Sequence, residues 1–220
     1  MWPPVGAVVF DLDGTLIDSR DDIVAAVNHT LGTLDRDPLP AATIYRYVGD
    51  GAQLLCARAT GLPEYAADLE PVLDTFLDYY AAHPIDHTVW MPGALEALEA
   101  LGDLPLAICT NKPRRTTDLV LDALGVRSRF AAVSAGGDLP TKKPDPAPLL
   151  ALADALGLSP AQLVMVGDGP QDVLAGKRAG ARTVAVAGGF QPREKLVACE
   201  PLVLLDSMAE LLSVVTAWRG

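Results

Sequence analysis

Short, almost wholly apolar runs recur along the whole chain, and helical patterns separate most of them. They are Val5–Phe10, Leu104–Cys109, Ala131–Ser134, Leu163–Val166, Thr183–Ala187 and Leu202–Leu205. A run without polar alternation suits a strand covered on both faces, the condition met in a parallel sheet. Between the runs, Pro113–Leu124 carries Thr116, Leu119, Val120, Ala123 and Leu124 on one helical face and is followed by Gly125. Pro146–Leu156 is followed by Gly157, Gln171–Ala179 by Gly180, and Ser207–Trp218 closes the chain. Glycine just past the last helical residue is a common stop. Strands alternating with helices predict βαβ units and an α/β fold with a parallel sheet. In such sheets ligands bind beyond the carboxyl ends of the strands.

One stretch breaks the alternation. From about Asp18 to about Asp86 no convincing strand can be read. Ile23, Val27, Thr30, Leu31 and Leu34 recur at helical spacing, as do Leu69, Leu73, Phe76 and Tyr80. Pro38, Pro40, Gly61-Leu62-Pro63 and Pro84 punctuate the segment. The pattern predicts a helical unit at residues 18–86, inserted into a core made of residues 1–17 and 87–220. Proline-rich Pro140–Pro148 is too short for a linker and reads as a rigid loop.

Composition narrows the function classes. Half of the 220 residues are hydrophobic and 20% are charged, which excludes a mainly disordered chain. Seventeen basic against 28 acidic residues give a net charge of −11, so binding to nucleic acid through a basic patch is not expected. The three cysteines Cys56, Cys109 and Cys199 are an odd number without ligand spacing, so the chain is no disulfide scaffold and suits a reducing compartment. No uncharged apolar run approaches the roughly 18 residues of a spanning helix. Met1-Trp2-Pro3-Pro4 lacks the basic start of a signal peptide. The expectation is a soluble cytoplasmic protein with no membrane partner, a monomer or homodimer.

Four segments carry candidate chemistry. Asp11-Leu12-Asp13-Gly14-Thr15-Leu16 sets two carboxylates two residues apart directly after a buried strand. Side chains at that spacing share a face, and Gly14 allows a sharp turn. Thr110-Asn111-Lys112 ends the second strand; it offers a hydroxyl, an amide and backbone N–H groups for a phosphate, or merely a helix cap. Lys142-Lys143-Pro144-Asp145-Pro146 places an ammonium beside a stiff backbone. Gly167-Asp168-Gly169-Pro170-Gln171-Asp172 sets one carboxylate at a strand end and another a helical turn deeper. Each fits an ordinary turn when taken singly. Together they all fall beyond predicted parallel strands, where Asp11, Asp13, Asp168 and Asp172 would converge with Lys143. Hard oxygen donors at a partly open site suit Mg²⁺ with a phosphorylated substrate.

These segments, in this order, resemble the motifs of the haloacid dehalogenase superfamily of phosphohydrolases. The match covers Asp11–Ser19, Thr110-Asn111-Lys112, Lys142–Pro148 and Gly167–Asp172. The resemblance implies a Rossmann-like parallel core carrying a helical C1 cap. It implies Mg²⁺-dependent hydrolysis of a small phosphomonoester through an aspartyl-phosphate. Asp11 would be the nucleophile, and Asp13 the acid and then the base. Asp11, Asp168 and the backbone carbonyl of Asp13 would hold the metal, with Asp172 on a metal-bound water or on Lys143. Thr110 and the N–H of Asn111 would grip the phosphoryl oxygens, and Lys143 would neutralise them. Serine, familiar after the Gly-Asp of the last motif, is Gly169 here, which removes one hydroxyl but no ligand.

The segment Tyr47–Ala52 with Leu54-Leu55 and Arg58-Ala59 is similar to the cap of bacterial phosphoglycolate phosphatases, making 2-phosphoglycolate the lead substrate. Arg46 and Gly51 are the cap's candidate substrate contacts. A sugar-phosphate phosphatase, for example for N-acetylmuramate 6-phosphate, and a phosphomutase are the alternatives within the superfamily. A non-catalytic phosphate-binding regulator would be favoured by a missing motif residue, and none is missing. His83 and His87 read as a surface linker interrupted by Pro84. Cys56 and Cys109 read as buried thiols, Trp90 as hinge packing, and Gly188-Gly189 as lacking dinucleotide-fingerprint spacing.

Overall fold

The computed structural model describes residues 2–219. In chain order the elements begin with β1 (Ala7–Phe10), β2 (Ile17–Asp18), α1 (Arg20–Thr33), α2 (Ala41–Tyr45), α3 (Ala52–Thr60), α4 (Leu69–Ala82) and β3 (Val89–Trp90). There follow α5 (Ala94–Ala100), β4 (Leu106–Pro113), α6 (Arg114–Ala123), β5 (Phe130–Gly136), α7 (Ala147–Leu156) and β6 (Leu163–Gly167). The chain closes with α8 (Pro170–Ala179), β7 (Arg182–Val186), α9 (Arg193–Ala198), β8 (Val203–Leu205) and α10 (Leu211–Ala217). The six apolar runs form one parallel sheet in the order β5-β4-β1-β6-β7-β8.

Both faces of the sheet are covered, which is why its strands lack polar alternation. Val8 and Phe10 join Leu106, Ile108, Val164 and Val166 against Leu98 of α5, Val120 and Leu121 of α6, and Leu211 and Val215 of α10. The alternate residues, Ala7 and Val9, join Ala107, Cys109, Leu163 and Met165 against Leu149 and Leu152 of α7 and Ala175 and Ala179 of α8. The second face is built from small residues, so α8 comes close. A Cβ on Gly176 would stand 2.5 Å from Thr183 Cγ2.

Most predicted elements recur within a residue or two, with three corrections. On α6 the buried stripe is Thr116, Thr117, Val120 and Leu121, whereas Leu119 is exposed. The rotation follows from satisfied hydroxyls: Thr116 donates to the Pro113 carbonyl at 3.0 Å and Thr117 to that of Lys112 at 3.1 Å. On α1, Ile23, Val27, Thr30 and Leu31 are buried as expected, but Leu34 lies past the last turn and is exposed. Finally, β4 runs to Pro113 rather than stopping at Cys109. Between Cys109↔Ser134 and Pro113↔Gly136 it takes four steps against two on β5. The surplus bulges out of the ladder and carries Thr110, Asn111 and Lys112.

The helical segment holds α1 to α4. A two-residue ribbon, absent from the sequence reading, brackets it: Ile17 pairs with Trp90 and Asp18 with Val89, antiparallel. Buried Asp22 of α1 ties down the return of the chain, accepting from the His87 N–H at 2.9 Å and the Thr88 hydroxyl at 2.6 Å. His83 Nδ1 lies 2.8 Å from Asp86, and neither His83 nor His87 joins a cluster of three metal-ligating side chains among the described residues. No helix among the described residues is long and apolar enough to cross a membrane.

Candidate active site

The register of three strands builds the site. Phe10 lies level with Ile108 on one side and Val166 on the other. Adjacent strands run about 4.8 Å apart, so Asp11, Thr110 and Asp168 emerge as neighbours beyond the carboxyl edge. The Asp11 N–H donates to the Val166 carbonyl at 2.9 Å and extends the ladder by one bond. The chain then closes on itself, with the Gly14 N–H on the Ile17 carbonyl and the Leu16 N–H on that of Leu12. Gly14 has φ +85°, and a Cβ there would meet the Asp168 carboxylate at 2.5 Å.

Three carboxylates and one ammonium form the centre. Asp11 Oδ1 accepts from the Leu12 N–H at 2.8 Å and lies 2.9 Å from Lys143 Nζ. Lys143 Nζ donates to Asp172 Oδ1 at 2.6 Å. Asp172 Oδ2 accepts from the Gly169 N–H at 3.0 Å, closing the first turn of α8. Asp11, Asp168 and Asp172 each offer an oxygen within 4.8 Å of the others. Two further groups, missed in the sequence, hold Asp168: the Thr15 hydroxyl donates to Oδ1 at 3.0 Å and the Phe190 N–H to Oδ2 at 2.6 Å. The loop bearing Phe190 comes this close because Gly189 has no side chain; a Cβ would stand 2.3 Å from Asp168 Cβ. Gly188-Gly189 thus belongs to the site although it is no dinucleotide motif. Over Gly169 the space a serine side chain would need is taken by the end of Gln171.

The electrostatics call for a cation. Asp11, Asp168, Asp172 and Lys143 are all 5% exposed or less. Burial, and Asp11 beside it, push the Asp168 carboxyl up to about 7. Burial works against charge on Lys143, but Asp11 and Asp172 override it and hold the ammonium above the usual lysine range. Burial raises the Asp172 carboxyl as well, and with all three carboxylates ionised one ammonium would leave two negative charges uncompensated. A divalent cation restores the balance, and an all-oxygen donor set fits a hard ion. Cys109 nearby is a buried thiol pushed up to about 12 by burial, as is Cys56, so neither is a nucleophile.

Asp13 faces a different way. Its carboxylate accepts from the Ser19 hydroxyl at 2.6 Å and from Lys112 Nζ at 3.0 Å. Lys112 Nζ also donates to the Tyr80 hydroxyl of α4 at 2.8 Å and lies 4.3 Å from the centre of that ring. Asn111 bridges the two parts of the chain: its Nδ2 donates to the carbonyls of Gly49 and Lys143, at 3.1 and 3.0 Å. Neither Thr110 nor Asn111 caps α6. A cleft opens beside Asp11 and Asp13, lined by Thr110, Asn111 and Lys112 from the core and by Gly51, Leu55 and Tyr80 from the helical segment. Gly51, at φ +90°, lets α3 begin close to the core; a Cβ would meet the Asn111 carbonyl at 3.1 Å. Arg46 is not brought to the cleft. It is exposed, and its Nε donates to the Ala42 carbonyl of its own helix.

A parallel sheet with carboxylates and a buried lysine at the mouth of its central strand is the arrangement of one hydrolase family. The profile described as haloacid dehalogenase-like hydrolase matches residues 8–186, and the chain belongs to that family. A phosphoglycolate phosphatase of Rhodospirillum rubrum is 41% identical over 214 residues, spanning 93% of this chain and 88% of the relative. One of Psychrobacter arcticus is 37% identical over 215 residues, 93% of each chain. The crystal structure of a predicted phosphoglycolate phosphatase from Haemophilus somnus has a TM-score of 0.87 at 29% identity, covering 96% of this chain and 97% of that one. The chain is an enzyme of the phosphatase class.

Proposed function

We propose that this phosphatase hydrolyses a small phosphomonoester, with 2-phosphoglycolate as substrate, through a phosphoryl group carried on Asp11. The substrate reading rests on the names of the relatives. The chemical reading rests on one observation above the others: a carboxylate at the tip of the central strand, 2.9 Å from a buried ammonium and within 4.8 Å of two further buried carboxylates. Asp11, Asp168, Asp172 and the backbone carbonyl of Asp13 would hold Mg²⁺, which supplies positive charge against the phosphoryl oxygens and the attacking carboxylate. The three free cysteines agree with a reducing, cytoplasmic setting.

The residues divide the work by position. Oδ1 of Asp11 is held by Leu12 and Lys143, while Oδ2 receives no hydrogen bond from the described residues. Asp11 attacks phosphorus, and the bond from phosphorus to the ester oxygen breaks. Asp13 gives its proton to the departing alkoxide. It then takes a proton from the water that attacks phosphorus and frees Asp11. Lys143, Thr110 and the Asn111 N–H steady the phosphoryl oxygens through both steps. Residues 18–86 act as a cap on a core of residues 1–17 and 87–220. Ile23, Val48, Leu55 and Phe76 give the cap an apolar wall against bulk water.

Phosphate release from 2-phosphoglycolate, measured with Mg²⁺ and with a chelator, tests this. Activity should require the metal, and Asp11→Asn should lower kcat by on the order of 10³-fold or more. Full activity in Asp11→Asn would remove the proposed nucleophile.

A further inference from the structure

The cleft has one lysine that the hydrolysis described above leaves unused. Lys143 is spent on Asp11 and Asp172. The other cations of this region are engaged outside the lining: Arg46 with its own helix, Arg58 with Asp50 at 2.7 Å, and Lys142 with the Asp50 carbonyl at 2.6 Å. Lys112 is the single cation among the cleft-lining residues, and it is 7% exposed. Its three N–H donors meet both oxygens of the Asp13 carboxylate, at 3.0 and 3.2 Å, and the Tyr80 hydroxyl at 2.8 Å, so a donor turns to substrate when Asp13 takes up the proton that it later gives to the ester oxygen. Because Tyr80 accepts from Lys112, its own proton remains free to donate. Burial pushes the Tyr80 phenol upward, so it keeps that proton.

We propose that Lys112 Nζ and the Tyr80 hydroxyl form a two-point receptor for a second anion on the substrate, a carboxylate one carbon beyond the carbon that bears the ester oxygen. These two groups then set the preference for 2-phosphoglycolate over esters that lack the carboxylate. This rests on the phosphatase reading above and deepens it. The ester oxygen has to reach Asp13 for protonation, and Lys112 Nζ lies 3.0 Å from Asp13. A carboxylate two carbons from that oxygen therefore falls beside Lys112. Its two oxygens match one N–H from the core and one O–H from α4. The substrate carboxylate then takes over the charge that Asp13 gives up on protonation, so the buried ammonium keeps an anion beside it.

The test compares 2-phosphoglycolate with 2-hydroxyethyl phosphate, which carries a neutral hydroxymethyl group in place of the carboxylate. The wild type should favour the carboxylate substrate in kcat/KM. Lys112→Met will slow both substrates, since Asp13 loses a partner, but the ratio between them should fall by about 10- to 100-fold. Tyr80→Phe keeps the ring and the fold; it should lower the ratio by about 3- to 10-fold, mainly through KM for 2-phosphoglycolate. It carries the test if Lys112→Met does not fold. Equal losses on both substrates in the variants would overturn the receptor and reduce Lys112 to a support for Asp13. A wild type that hydrolyses both equally well would overturn the receptor but leave the phosphatase reading intact. Hydrolysis of neither substrate would overturn both.

Discussion

Lys143 is 2% exposed and touches two carboxylates from different elements, so three segments of the chain meet at one nitrogen. Removing it should act on activity and on folding together. Lys143→Met is expected to lower kcat by on the order of 10²–10³-fold, as loss of one fixed positive group does at a charged transition state. It should also cost about 3–5 kcal/mol in urea unfolding of the metal-free protein, because Asp172 and Asp11 are left buried without a partner. Lys143→Arg should not restore activity, since a planar fork cannot occupy the place of a point charge. Unchanged kcat in Lys143→Met would contradict this. Asp11, Asp13 and Asp168 are legible because each directly follows an apolar run, and Lys143 and Asp172 because they fall in the segments beyond such runs. Thr15, Phe190 and Tyr80 are not. Thr15 and Phe190 act through contacts 153 and 22 residues away in sequence, and Tyr80 sits in a helical series that also reads as core.

At the level of elements, the site is a consequence of strand register and of one loop. The six strands and their order of alternation could be read because parallel strands are uniformly apolar. The ribbon at Ile17–Asp18 and Val89–Trp90 could not, since two residues carry no periodicity. Nor could the bulge of β4, which depends on the pairing with β5 rather than on local composition. The loop after β7 offers the sharpest test at this scale. Gly189→Ala would set a Cβ 2.5 Å from the Gly14 carbonyl and 2.3 Å from Asp168 Cβ. The loop must retreat and Phe190 must loosen its hold on Asp168. Titrating activity with Mg²⁺ should show apparent metal affinity reduced by about 10-fold or more. An unchanged titration would mean that this loop does not support the metal site.

The molecule as a whole concentrates negative charge that the fold alone does not balance. Burial and the neighbouring Asp11 push the Asp168 carboxyl up to about 7 when no metal is bound, against 3.8 for a free aspartate. A carboxyl raised in the folded state stabilises the fold fully below its unfolded value and loses that contribution as pH rises through the folded value. In chelator, the urea midpoint should therefore fall between about pH 4 and about pH 7, and Mg²⁺ should remove most of that fall by pairing the ionised group. The same charge bears on catalysis, where a phosphate dianion must approach Asp11 inside a chain of net charge −11. Mass spectrometry of the enzyme quenched in acid during turnover of 2-phosphoglycolate tests the attack by Asp11 most directly. One phosphoryl group is expected on the peptide that holds Asp11, absent in Asp11→Asn and absent in chelator. Turnover with that peptide unmodified, or with the phosphoryl group on another residue, would contradict it.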